Sequence, residues 1–219
     1  MIEIYLIEIK TSSTDHAEFK NLLRCIAEER TNSIIKMRND VDKKLTVLAD
    51  VLIRIVASQR LFISNRNLCF QKNSYGKPYL LFFPDFQYNI SHTRDAVAVA
   101  FSNQSIGIDI EKIREPDLKI VKRFFTSDEN QYILQSNDFV TRFFEIWTKK
   151  EAYIKHDGRG LSIPLNTFSS LENREKYYTC IFKNYIVSLY RENIYDQIIV
   201  YHLEEDDLYK QADSLDCIR

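Results

Sequence analysis

The segment "IGIDIEKI" at residues 106–113 constrains the fold of this chain more than any other stretch. In a β-strand, side chains two positions apart point to the same face. Asp109 and Glu111 therefore share one face, whereas Ile108 and Ile110 share the other, which we expect to lie in the core. The segment predicts a half-buried strand that carries two carboxylates side by side.

Two interpretations of this acidic face are open. For an arbitrary D-x-E pattern, the commoner outcome is a strand whose solvent-exposed side happens to be acidic. The alternative is a cation site, because a divalent ion relieves the repulsion between two neighbouring carboxylates. Mg²⁺ prefers oxygen ligands and usually keeps water or substrate phosphate among them, so a pair of strand carboxylates suits it.

A third carboxylate lies in "WTKKEAYIK", within a helix predicted over residues 139–156. Glu151 and Lys155 are four positions apart and share one helix face, one turn after Trp147. One interpretation is a surface ion pair that contributes about 0.2–0.5 kcal/mol. If the helix instead faces the acidic strand, Glu151 adds a third carboxylate to the site, and Lys155 meets the phosphates of a bound ligand.

Helical and strand-like patterns alternate along the chain and predict an α+β fold. Each half contains a long helix with apolar and basic residues, and each then continues into β-rich chain. This faint repetition favours a pseudodimer of two similar α+β halves with the active site at their interface, since clefts between domains often bind ligands. The expected parts are an N-terminal half (1–105), a C-terminal half with the metal site (106–203) and a polar, loosely held tail (204–219).

Composition excludes several classes of protein. The 219 residues are 45% hydrophobic, which is enough for a folded core. A net charge of −1 gives no indication of nucleic-acid binding, and no window offers the ~20 apolar residues of a membrane span. The N-terminus does not resemble a signal peptide, and the four cysteines form no CxxC pair, so we expect a cytoplasmic protein with reduced thiols.

The combination of motifs resembles the 4′-phosphopantetheinyl transferases, specifically the larger, surfactin-synthetase-activating type. The segments "GIDIEKI" and "WTKKEAYIK" occur in the family's order and at its spacing, and so do four others. These four are "YGKPYL" (75–80), "YNISHT" (88–93), "RFFTSDE" (123–129) and "GRGLSIPL" (158–165). The resemblance covers residues 25–170, and the motifs are specific only in combination.

This resemblance implies a reaction and its participants. The phosphopantetheine arm of coenzyme A is transferred to a serine of an apo acyl- or peptidyl-carrier protein, and adenosine 3′,5′-bisphosphate is released. The family resemblance also implies Mg²⁺, with Mn²⁺ as a second candidate ion, and a monomeric pseudodimer with coenzyme A between its halves. It implies no partnership with nucleic acid or membrane.

The resemblance also assigns roles to individual residues. Asp109, Glu111 and Glu151 match the metal-binding acids, and Lys155 matches the lysine on the pyrophosphate. Ser91 and His92 match the pair that contacts the coenzyme A phosphates, and the loop at the adenine end comprises Tyr75, Gly76, Lys77 and Pro78. Members often carry a basic cluster that grips the 3′-phosphate, and here only Arg30 remains, with Lys43 or Lys44 as substitutes.

Glu129 matches the glutamate proposed as general base toward the carrier serine. The same residue ends the sequence "TSDE" (126–129), which is a capping box, so Glu129 has a second interpretation as the residue that closes a helix start.

Two functions from other classes remain as alternatives. A Mg²⁺-dependent phosphodiesterase would also use acidic residues, and it would hydrolyse a phosphodiester without a carrier protein. A non-catalytic protein that binds coenzyme A or a nucleotide would bind its ligand but would not modify a carrier.

Overall fold

The computed structural model describes residues 1–218, apart from the side chains of Leu118, Lys122 and Leu161. The helices are α1 (Ala17–Arg24), α2 (Glu28–Ile35), α3 (Asp40–Leu61), α4 (Leu118–Phe124), α5 (Ser127–Leu134), α6 (Phe139–Asp157) and α7 (Glu205–Ala212). The strands are β1 (Ile2–Glu8), β2 (Phe70–Lys72), β3 (Pro78–Leu80), β4 (Gln87–Thr93), β5 (Ala96–Ser102), β6 (Ile106–Lys112), β7 (Tyr177–Phe182), β8 (Tyr185–Arg191) and β9 (Ile198–Leu203). This mixture confirms the predicted α+β class.

The strands form two main sheets and a short hairpin. The first sheet has the order β4-β5-β1-β9, and the second has the order β6-β8-β7, while β2 pairs with β3 alone. Each main sheet packs against one long helix, α3 on the first and α6 on the second. Within the described residues, no helix is long and apolar enough to cross a membrane.

The inner faces of the two main sheets share a core. Ile108 and Ile110 are 0% and 1% exposed, which confirms their predicted place on the buried face of β6. Opposite them, β5 presents only small side chains to this core. These are Ala96, Ala98 and Ala100. Because alanine is small, the second sheet approaches the first closely, and the edge strand β6 comes to lie beside the edge strand β4.

The end of the chain departs from the sequence prediction. Residues 204–219 were expected to form a loosely held tail, but α7 packs against α1 and α3, and its Leu208 is fully buried. The strand β9, which the prediction placed in the C-terminal half, pairs in parallel with β1 of the first sheet. The prediction was wrong because it rested on the polar composition of this short segment. The few apolar residues of the segment are spaced so that they lie on one helix face.

Gly107 allows β6 and α6 to touch backbone to backbone. Gly107 lies two positions before Asp109 and four before Glu111, so it is on the same face of β6 as these two acids and faces α6. A Cβ built there would lie 1.9 Å from the carbonyl oxygen of Ala152 and 2.4 Å from the amide nitrogen of His156. Only glycine therefore permits this separation between the acidic strand and the helix that carries Glu151 and Lys155.

The substitution Gly107→Ala tests this contact. We expect the free energy of unfolding to fall by about 3 kcal/mol, because helix backbone must move to admit the methyl group. Urea denaturation measures the loss. Gly76→Ala is the matched control, since no described atom lies within 4 Å of the Cβ that the substitution adds. Only backbone strain at its φ of 92° should lower the stability of this variant, by about 1 kcal/mol. Equal losses for the two variants would contradict the close contact.

Candidate active site

The acidic face of β6 meets the end of α6 and the strand β4. Lys155 Nζ lies 2.7 Å from Asp109 Oδ1 and 2.7 Å from Ser91 Oγ. The Ser91 hydroxyl also donates to Asp109 Oδ1 at 2.8 Å. Three residues that the sequence separates by up to 64 positions thus form one cluster at the seam between the halves.

A second contact of the same kind holds Glu111. Thr93 Oγ1 donates to Glu111 Oε2 at 3.0 Å, and the indole of Trp147 also favours the charged form of this carboxyl. Ser91 and Thr93 are two positions apart on β4, as Asp109 and Glu111 are on β6. The two strands therefore present matched faces, with a hydroxyl opposite each carboxylate.

Burial and the charge of Asp109 raise the pKa values of two carboxyls, Glu111 and Glu151. Burial, followed by the charge of Asp109, raises the pKa of the Glu151 carboxyl to about 7, although Lys155 opposes the shift. Burial and the charge of Asp109 also raise the pKa of Glu111 above its usual range. These effects place the three predicted metal-binding acids in one electrostatic environment that would be relieved by added positive charge.

The three acids are neighbours, but they do not form a complete metal-coordination site. Within residues 1–218, no three acidic, histidine or cysteine side chains converge closely enough to hold an ion as they stand. The ammonium of Lys155 rests against Asp109 Oδ1 instead. The other oxygen of this carboxylate, Oδ2, is buried and has no hydrogen-bond partner among the described residues. Such an oxygen is a free ligand position for a cation.

The loop predicted to hold the adenine end is docked on the C-terminal half. Asn73 Oδ1 accepts from the backbone N–H groups of Tyr75 and Lys77, and Asn73 Nδ2 donates to the carbonyl of Gly158. Tyr75 is 58% exposed, Gly76 adopts a positive φ of 92°, and Pro78 begins β3. The structure therefore leaves the rim at Tyr75, Gly76 and Pro78 accessible.

The side chain of Lys77 is held by contacts within the protein. Its Nζ donates to the carbonyl of His156 at 2.8 Å and to Ser105 Oγ at 3.1 Å, and burial lowers its pKa to about 8. A cation at the last carbonyls of α6 also suits the helix dipole. Lys77 therefore joins the loop to the end of α6, and its ammonium is not free to bind coenzyme A as the resemblance implied.

Two further residues predicted to contact the phosphates of coenzyme A, His92 and Arg30, lie at the surface. His92 is exposed and lies on the opposite face of β4 from Ser91, among the charges of Asp42, Lys155 and Asp109. Arg30 remains near the surface, where its Nε is 2.7 Å from Asp50 of α3.

Lys44 does not belong to the site. It is fully buried, with its Nζ 2.6 Å from Glu205 and 2.8 Å from the carbonyl of Thr11. The expectation that Lys44 grips a phosphate was wrong, because α7 covers this lysine and supplies its counter-ion. The alternative, Lys43, pairs with Asp40 in the first turn of α3.

Glu129 is also excluded from the role of general base. It is 0% exposed, both of its oxygens accept from Lys150 Nζ at 2.6 and 2.8 Å, and Ser170 donates to it through N–H and hydroxyl. The capping interaction at Thr126 N is present as well. The second interpretation of "TSDE" is therefore correct, and Glu129 is a helix cap that neutralises a buried lysine.

Sequence reasoning missed three residues at this site. Thr93 and Asn89 are contacts of β6, and their signal was the alternation of polar residues in "YNISHT". Lys150 is the partner of Glu129, and nothing in "WTKKEAYIK" indicated this pairing. None of these pairings could be assigned without the packing of α6 and β4 against their neighbours.

Comparisons with known proteins agree on one family. A family model described as the 4′-phosphopantetheinyl transferase superfamily matches residues 105–202, and a second, described as 4′-phosphopantetheinyl transferase, N-terminal, matches residues 12–104. The chain is 37% identical over 214 residues to "4′-phosphopantetheinyl transferase gsp" of Aneurinibacillus migulanus, which covers 96% of this chain and 84% of that protein. It is 34% identical over 181 residues to "4′-phosphopantetheinyl transferase Sfp" of Bacillus subtilis, covering 78% and 81%.

The buried pair of Glu129 and Lys150 yields a prediction about stability. We expect Glu129→Gln to lower the free energy of unfolding by about 3–5 kcal/mol, because it leaves the Lys150 ammonium buried without a counter-charge. Urea denaturation measures the change. Glu175→Gln, at an exposed glutamate, is the control and should alter stability by less than about 0.5 kcal/mol. A Glu129→Gln protein as stable as the control would contradict the structural role.

Proposed function

The chain belongs to the 4′-phosphopantetheinyl transferase superfamily, and from this we propose which of its residues perform the transfer. The enzyme transfers the 4′-phosphopantetheine arm of coenzyme A to a serine hydroxyl of an apo carrier protein. The observation that carries the residue assignment is the cluster of Asp109, Glu111, Glu151, Lys155 and Ser91 at the seam. The released product is adenosine 3′,5′-bisphosphate.

Asp109 and Glu111 are assigned to a divalent cation, with Mg²⁺ as the first candidate and Mn²⁺ as the second. Two features support the fit: the unpartnered Oδ2 of Asp109, and the raised pKa values of Glu111 and Glu151, which added positive charge would lower. When bound, such an ion neutralises pyrophosphate charge and stabilises the leaving phosphate. Glu151 is assigned as the third acid of this site.

Lys155 and Ser91 orient the pyrophosphate. The ammonium of Lys155 sits between the Asp109 carboxylate and the Ser91 hydroxyl, and 27% of its side chain is exposed. A pyrophosphate that enters from the exposed side meets this charge without displacing a buried group. Phosphoryl transfer depends chiefly on positioning and charge neutralisation, so these contacts are the main contribution of the protein. His92 and the rim at Tyr75, Gly76 and Pro78 are assigned to the rest of coenzyme A.

The proton of the attacking serine needs an acceptor other than Glu129. Glu151 lies on the face of α6 that turns toward Asp109, where a carboxylate can accept a proton from a nearby hydroxyl. We therefore assign the proton to the Glu151 carboxylate. The assignment is compatible with Glu151 as a neighbour of the ion held by Asp109 and Glu111.

We also propose that the enzyme acts as a cytoplasmic monomer. One chain supplies both faces of the site, β4 from one sheet and β6 from the other, so no second copy is needed. All four cysteines are free thiols, which suits a reducing compartment.

Incubation with coenzyme A, Mg²⁺ and a panel of apo carrier proteins tests the function. The panel should include carriers of fatty-acid, polyketide and nonribosomal-peptide type, and intact mass should show the phosphopantetheine arm on serine. Bound coenzyme A without modification of any carrier would favour the non-catalytic alternative. Hydrolysis of coenzyme A or a phosphodiester without a carrier would favour a phosphodiesterase.

Asp109→Ala should abolish transfer while leaving the fold intact. We expect kcat to fall by at least about 10³-fold, because removal of a carboxylate from the ion site removes charge stabilisation in the transition state. Asp85→Ala, at an exposed acid outside the cluster, is the control and should retain wild-type kcat. Circular dichroism verifies folding of both variants, and retained activity in Asp109→Ala would overturn the metal assignment.

Ion binding should depend on pH through Glu151. Its raised pKa means that the carboxyl keeps its proton below about pH 7 and becomes a carboxylate only above it. We therefore expect affinity for Mn²⁺, measured by titration without substrate, to rise by up to about tenfold per pH unit below 7 and then level off. In Glu151→Gln the step near pH 7 should be absent, whereas Asp85→Asn should keep it. A wild-type affinity that is constant from pH 6 to 8 would contradict the assignment.

A further inference from the structure

The edge of β6 at the seam is satisfied by side chains. An edge strand presents backbone N–H and C=O groups that the rest of its sheet does not pair. At β6, the N–H of Ile108 donates to Asn89 Oδ1 at 2.9 Å, and the carbonyl of Ile106 accepts from Lys77 Nζ at 3.4 Å. Both side chains come from the N-terminal half, so the two sheets are connected here without a backbone ladder.

Asn89 differs from the other β4 residues that touch β6. Asn89, Ser91 and Thr93 occupy alternate positions of β4 and face β6 together. Ser91 and Thr93 bind the side chains of Asp109 and Glu111, which can rotate about their own side-chain bonds. Asn89 binds backbone instead and is 5% exposed, so its hydrogen bond fixes the strand itself.

The position of β6 along β4 decides which groups meet. Residues of a strand are spaced by about 3.3 Å, so a small slide of β6 would withdraw Asp109 from Ser91 and Glu111 from Thr93. The isoleucines of β6 in the core resist rotation of the strand. Because these side chains are identical along the strand, they only weakly determine how far β6 is shifted along its own axis. The Asn89 to Ile108 hydrogen bond is directional and lies next to Asp109 in sequence.

We propose that Asn89 is a positioning residue, which sets the register of β6 against β4 and so places the Asp109 and Glu111 carboxylates for ion and pyrophosphate binding. The proposal rests on the proposed function for the role of those carboxylates. It does not require Asn89 to touch substrate or ion.

Four variants test the proposal. Asn89→Leu keeps the size of the side chain and removes the acceptor, and Asn89→Ser keeps a polar group on a stem too short to reach Ile108. Asn89→Asp keeps an acceptor oxygen in place. Gln87→Leu is the matched control, since Gln87 lies on the same strand face but its amide bonds only the nearby carbonyl of Pro84.

Three measurements are made on each folded variant. Hydrogen exchange at the Ile108 amide reports the bond itself, titration with Mn²⁺ in the absence of substrate reports the carboxylates, and steady-state kinetics with coenzyme A and a carrier report kcat and KM separately. In Asn89→Leu we expect Ile108 exchange to accelerate at least tenfold, Mn²⁺ affinity to fall at least fivefold, and kcat to fall at least tenfold with KM for coenzyme A changed less than threefold. Gln87→Leu should stay within threefold of wild type in all of them. Asn89→Asp adds a negative charge beside the acids, so its readout is exchange at the Ile108 amide, which should stay within threefold of wild type.

Two outcomes would overturn the proposal. In the first, Asn89→Leu speeds exchange at Ile108 but keeps wild-type Mn²⁺ affinity and kcat, which would make the bond merely structural. In the second, the Ile108 amide of folded Asn89→Asp exchanges as fast as that of Asn89→Leu, which would mean that the acceptor oxygen does not hold the strand. If Asn89→Leu does not fold, Asn89→Ser takes its place with the same expected results. A wild-type protein that modifies no carrier would overturn the proposed function alone, because exchange and Mn²⁺ binding still test Asn89.

Discussion

The structure depends on the meeting of two edge strands, β4 from one sheet and β6 from the other. Their sheets share a core of isoleucines on β6 and alanines on β5, and the small alanines let the strands come within side-chain hydrogen-bonding distance. Each strand turns a polar face to the other, with Ser91 and Thr93 opposite Asp109 and Glu111. The active site is therefore a property of the seam and belongs to neither half alone.

The same closeness explains the electrostatics. Gly107 brings the backbone of β6 against α6, and this contact holds Glu151 and Lys155 beside Asp109. Burial, followed by the charge of Asp109, raises the pKa values of Glu111 and Glu151. Lys155 opposes the shift at Glu151. The raised pKa values and the carboxylate oxygen of Asp109 that has no partner among the described residues are the features on which the proposed cation site rests.

Burial distinguishes the lysines of structural ion pairs from the lysine at the seam. Glu129 with Lys150, and Glu205 with Lys44, are pairs whose lysines are completely enclosed, and each joins segments far apart in the chain. Lys155 carries the same charge but keeps part of its side chain exposed. Residue type alone does not distinguish these lysines, because a buried ion pair and a ligand-binding pair use the same chemistry.

Local patterns in the sequence predicted the α+β class, the acidic face of β6 and the helix face shared by Glu151 and Lys155, because strand and helix periods are local properties. Motifs in combination identified the family. The folded chain was needed to show that Glu129 is a cap, that Lys44 and Lys77 make internal contacts, that the last helix packs on the first half, and that Asn89 holds Ile108. These outcomes depend on which surfaces pack together, and packing joins residues whose separation along the chain carries no signal of their contact.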